Sequence, residues 1–131
     1  MHLNKLVNEC PQCGFNGVHQ RMRRTTTLSA IPDLLILSIN SPRIILEPQI
    51  CLTSESMTRT LRLAGLIYHS PSAVHFTCVV VNEAKELWYH DGMTTKDRTR
   101  FEGTMDTLSD ARTLNMKGYD SRLCTAIYCA L

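Results

Sequence analysis

The stretch Leu61–Met93, LRLAGLIYHSPSAVHFTCVVVNEAKELWYHDGM, decides how this chain is read. It divides into three strand-like runs. Leu61–His69 is apolar and stops at Ser70-Pro71. His75–Val81 ends in three consecutive valines, and Leu87–His90 is aromatic and closed by Asp91-Gly92. Branched and aromatic side chains suit a pleated, half-buried surface, while Pro and Gly punctuate it. The polar segment Asn82–Glu86 between the second and third runs is short enough for a hairpin turn.

That hairpin has chemical content. Side chains alternate faces along a strand. If Val81 pairs with Lys85, His75 lies directly opposite Asp91, with Cβ atoms about 4.5–5.5 Å apart. A register shifted by two residues leaves them diagonal neighbours, and a slip of one puts them on opposite faces. An imidazole beside a carboxylate is the base and orienter of a nucleophilic triad: the acid fixes the tautomer, and the ring takes a proton from Ser or Cys. By the same alternation Cys78 and His90 point to the other face, and Cys78 reads as a small buried hydrophobe.

The rest of the chain sets bounds. Its 131 residues make one domain or part of one, and 44% hydrophobic content is enough for a folded core. The formal charge of +2 argues neither for nor against a nucleic-acid partner, and the basic segment Gln20–Thr27 is a smaller footprint than one needs. The longest apolar run, Leu34–Ile39, reads as a buried central strand, far short of the roughly 18 residues a membrane helix needs. The N-terminal ten residues lack the apolar core of a signal peptide. Six cysteines without a regular framework fit the reducing cytoplasm or nucleus.

Cys10-Pro-Gln-Cys13-Gly14 has the spacing of half a zinc knuckle. Two thiolates three positions apart can share one tetrahedral ion, yet a structural zinc takes four ligands. His19 is a candidate third ligand, and no second Cys-x-x-Cys follows. A redox-inert pair is the alternative. Cys-Pro-Gln-Cys-Gly reads as a metal or turn motif and not as a helix start, one of the places where a reactive thiol is made.

The segment Leu61–His69, then His75-Phe76-Thr77, then Trp88-Tyr89-His90-Asp91 resembles the histidine box of the ubiquitin-specific proteases, with a weaker likeness to protease-like domains of fungal transposon-derived genes. Val74 stands where that pattern has Gly, and Phe76 where it has Tyr. The resemblance implies an α+β fold dominated by an antiparallel sheet, the palm half of a papain-like cysteine protease. It makes His75 the general base and Asp91 the third residue. It implies that residues 1–31 end a zinc-binding fingers region through Cys10 and Cys13, and that residues 32–131 form the palm. The catalytic cysteine and another Cys pair would then lie upstream, on a missing N-terminal half. The activity implied is hydrolysis of ubiquitin or ubiquitin-like isopeptide bonds, absent from this chain alone. Two alternatives stand beside it: a non-catalytic module that binds such modifiers, and a zinc-knuckle nucleic-acid module. A short helix is expected within Thr107–Leu114, and Leu123–Leu131 reads as a closing strand.

Overall fold

The computed structural model describes residues 2–7, 22–27, 29–41, 44–108, 114–117 and 120–131, the first two segments by backbone alone. The chain forms two compact units. The first comprises Met1–Ile31 with Leu52–Thr58; the second comprises Pro32–Cys51 with Arg59–Leu131. In the first, β1 (His2–Val7) and β2 (Met22–Thr27) make an antiparallel ladder from His2↔Thr27 to Val7↔Met22. Cys10, Cys13 and His19 lie outside the described residues.

The second unit is built on one large sheet. Its strands are β3 (Leu34–Ser38), β4 (Gln49–Thr53), β5 (Thr58–Ser70), β6 (His75–Val81), β7 (Glu86–His90), β8 (Arg100–Thr104), β9 (Met116–Lys117) and β10 (Ser121–Ala130). They run in the order β3-β10-β5-β6-β7-β8, with β4 on β5 and β9 on β10.

The α+β palm of a papain-like protease is not what this chain forms. Among the described residues there is no α-helix, only a 3-10 turn at Met105–Thr107 and another at 114–115, and the ladders of the large sheet whose register is defined are antiparallel. The physical reason is visible in the chain. Apolar residues recur at every second position through much of β5, β6 and β10, which is the period of a strand. The helix expected within Thr107–Leu114 falls mostly on residues outside the described set. A further expectation changes. The polar segment after Asp91, read from sequence as a long loop, contains strand β8, which pairs with β7. And Leu34–Ser38 lies at an end of the strand order, with Leu34 and Ile36 exposed, because only one face of β3 is packed.

One face of the sheet is the core. It carries Leu61, Leu63, Leu66 and Tyr68 from β5, Val79 and Val81 from β6, Leu87 from β7, and Leu123, Ala126 and Tyr128 from β10. The buried parity of β5 switches from odd to even between Leu63 and Leu66, where the β10 register also shifts and Ala64 is the extra residue. A compensating shift at Cys124 does the same for β10. Each bulge inserts one residue, so the side chains that follow change face and the apolar stripe stays on the core side. Full burial of one such Leu or Val contributes roughly 1.5–3 kcal/mol. The Tyr128 hydroxyl donates to the Glu47 carbonyl at 2.9 Å, and burial pushes its pKa up to about 12.

Candidate active site

Two turns position the site. The first joins β6 to β7. Its register is Val81↔Leu87 and Cys78↔His90, two residues from the simplest pairing. Asn82 causes the shift. Its side-chain oxygen accepts the Glu86 amide at 2.9 Å, its amide nitrogen donates to the Glu86 carboxylate at 2.6 Å, and its carbonyl accepts from Lys85. This draws Asn82 into the ladder and leaves Glu83-Ala84-Lys85 as the loop, with Lys85 at φ 60. A three-residue hairpin ending in a left-handed residue is a common form. Continued outward, this register sets Thr77 opposite Asp91 and leaves His75 diagonal to it, on the same face.

The second turn, Pro71–Val74, joins β5 to β6 and pairs Ser70 with His75. It ends on Val74 at φ 48. Asp120 secures it from a distance. The carboxylate accepts the Ser70 hydroxyl at 2.8 Å and the Ser72 amide at 3.3 Å, and also bonds the Ser72 hydroxyl. The Ser72 and Ser70 bonds hold the Asp120 pKa below its ordinary value.

Between these turns His75 Nε2 and Asp91 Oδ1 meet at 2.8 Å. Asp91 has several further anchors, among them three on its acceptor oxygens. Its Oδ1 accepts the Met93 amide at 2.9 Å, its Oδ2 accepts the Thr94 hydroxyl at 2.8 Å, and its carbonyl accepts the Thr95 amide at 2.8 Å. The pattern is an Asx-type turn, in which the side chain bonds its own backbone two residues on. Gly92 is not what makes it: its φ is not left-handed, and a Cβ there would meet nothing within 4 Å.

These bonds favour the ionised carboxyl. The Met93 amide, then the His75 ring and the Thr94 hydroxyl, hold the Asp91 pKa at about 2 against the opposing effect of burial. A carboxylate has no proton to give, so the His75 Nε2 must donate. Nδ1 is thereby the basic nitrogen, on a side chain one quarter exposed.

A further layer stands behind Asp91. The Tyr89 hydroxyl lies 3.5 Å from Asp91 Oδ2, too long for a firm bond. The Arg100 guanidinium sits 4.8 Å from the Tyr89 ring centroid and the Lys117 ammonium 6.0 Å. Glu102 pairs with both cations. Burial acts to raise the Glu102 pKa, but hydrogen bonds and charge from Lys117 and Arg100 outweigh it and hold the value below normal. Sequence reasoning missed Thr94, Asp120 and this ion network. The Asp-x-x-Thr spacing of Asp91 and Thr94 was a readable turn signal; nothing local pointed to Asp120, whose bond to Ser70 spans 50 residues.

The remaining candidates lie apart. His90 faces away from Asp91, its Nδ1 3.1 Å from the Arg98 carbonyl. His69 stacks on Phe76 with centroids 4.5 Å apart. Cys78 pairs with His90 on the other face, where burial pushes its thiol pKa up. Cys124 Sγ donates to the Ile67 carbonyl at 3.3 Å. No described thiol is hydrogen-bonded to His75. Among the described residues there is no group of three or more His, Cys, Asp or Glu able to hold a metal, and no helix long and apolar enough to cross a membrane. Comparisons with protein-family models, with curated proteins and with solved structures found no match for this chain.

Proposed function

We propose that this chain supplies the general base of a thiol isopeptidase acting on ubiquitin or a ubiquitin-like modifier, in the cytoplasm or nucleus. The observation that carries the reading is the 2.8 Å contact of His75 Nε2 with an Asp91 that is itself held by Met93 and Thr94. The attacking thiol comes from a partner segment carrying the nucleophile, so the chain alone is inactive. Cys10 and Cys13 supply two of the four ligands of a structural zinc, which zinc analysis of the purified chain checks.

In this reading Nδ1 of His75 takes the thiol proton and Asp91 stabilises the imidazolium. The thiolate attacks the carbonyl of the modifier's terminal glycine. The imidazolium then protonates the leaving lysine amine, and a thioester remains. Water hydrolyses the thioester, with His75 again as base.

A second reading, a non-catalytic module that binds such modifiers, is favoured by the exposed apolar side chains Ile36, Phe76, Val80 and Phe101. Titrating the isotope-labelled chain with ubiquitin and ubiquitin-like proteins separates the two. The isopeptidase reading expects saturable binding that moves the His75 ring signals, because the modifier's tail must pass that ring. Binding that leaves His75 unmoved supports the second reading. Absence of binding to every modifier tried rejects both. An electrophilic ubiquitin probe should leave the chain alone unlabelled.

A further inference from the structure

A cleft of about 440 Å³ lies at the end of the sheet where β5, β9 and β10 meet the chain leaving β3. Ile39, Met116 and Leu123 supply an apolar wall, while Asn40, His69 and Arg122 supply polar groups. No Asp or Glu is among its described lining residues. His69 and Arg122 face each other in the β5–β10 register, so they share one side of the sheet. Pairs placed like this have Cβ atoms about 4.5–5.5 Å apart.

Among the described residues the Arg122 guanidinium takes part in no ion pair or side-chain hydrogen bond. The His69 ring is held by its face against Phe76, at 30° between planes, and its nitrogens have no hydrogen-bond partner among the described residues. A cation and a fixed imidazole thus stand in a recess lined by apolar side chains and the neutral Asn40, Ser41 and Asn115, with no acid among its described lining residues.

We infer that this cleft binds a carboxylate with an apolar body. The carboxylate pairs with the Arg122 fork and is assisted by His69, and the body lies against Ile39, Met116 and Leu123. A planar guanidinium matches a carboxylate through two parallel N–H···O bonds. A single guanidinium suits one negative charge better than a phosphate dianion. The volume falls within the range of small-ligand sites, about 300–1,000 Å³. The source is either a small organic acid or the terminal carboxylate of a peptide. The cleft contains neither His75 nor Asp91, so it stands or falls independently of the isopeptidase reading.

The test is an NMR titration of the whole 131-residue chain with three probes. They are N-acetyl-leucine, its amide, and a tetrapeptide ending in leucine with a free carboxylate. The expected result is saturable shifts at His69, Arg122 and Cys124 for the acids, with the amide at least about tenfold weaker. Arg122→Gln should remove that preference without changing the thermal midpoint, and Arg122→Lys should keep part of it. A tetrapeptide that binds more tightly than N-acetyl-leucine identifies a chain terminus as the source; equal binding identifies a small acid. Equal affinity for acid and amide, shifts elsewhere, or no shifts at all would overturn the inference.

Discussion

Asp91 shows how much one carboxylate can organise. It closes a turn, carries a full charge and sets the proton on a ring from a strand sixteen residues earlier in sequence. Its pKa of about 2 lies below the ordinary 3.8, so the folded form binds that proton less readily than the unfolded form. The resulting stabilisation is complete above about pH 4 and is lost as pH falls towards 2. Unfolding measured against pH should therefore show the gap between the native chain and Asp91→Asn shrink to nothing over that window. At neutral pH a different variant, Asp91→Ala, removes the acceptor that requires a proton on Nε2. The ring nitrogen shifts of His75 should move from the single Nε2–H tautomer to a mixture. A pure tautomer in the variant would refute the role given to Asp91. Val74 shows the opposite economy. A β-branched residue at φ 48 is strained, by roughly 1–2 kcal/mol on the left-handed scale. Val74→Asn should relieve part of it and raise Tm by about 4 °C, following the usual conversion for a small domain.

At the scale of elements, the bulge at Ala64 does more than bend a strand. It moves Leu66, Tyr68 and Ser70 onto the face already occupied by Leu61 and Leu63. Deleting Ala64 should turn those three side chains outward and abolish the cooperative thermal transition. A deletion variant that melts like the native chain would show the parity argument to be mistaken. The β6–β7 hairpin was largely legible in advance, because valines, aromatics and a polar turn mark it locally, and β6 spans His75–Val81 as read. Its two-residue shift was not, since it depends on the side chain of Asn82. The His75–Asp91 contact tolerates either register, because both preserve parity. Strand β8 escaped notice because Arg100 and Glu102 make ion pairs instead of the apolar alternation that reveals a strand. The α+β palm came from the resemblance, whereas the alternation in β5, β6 and β10 indicated strands.

At the scale of the molecule, the second unit has a packed face and a bare one. A row crosses six strands on the bare side: Ile36, Ile127, Gly65, Val80, Trp88 and Phe101, each opposite the next in register. Ile36, Val80 and Phe101 are about half exposed or more. Flat apolar sheet surface beside an edge strand promotes self-association. Ile36→Lys with Val80→Lys should reduce concentration-dependent association in light scattering and leave Tm within a few degrees. Unchanged association would place its origin elsewhere. Sequence reading gave the buried half of this sheet more readily than the bare half, because alternation identifies two faces without saying which one is covered.

The strand order carries a consequence for synthesis. β10, the last in sequence of the described strands, is inserted between β3 and β5, and Asp120 just before it ties down the turn that precedes His75. Earlier strands must wait with their central neighbour absent, and distant pairings of this kind are slow to form. The imidazole and its carboxylate are encoded within one hairpin, but the clasp that steadies that hairpin lies 50 residues beyond Ser70.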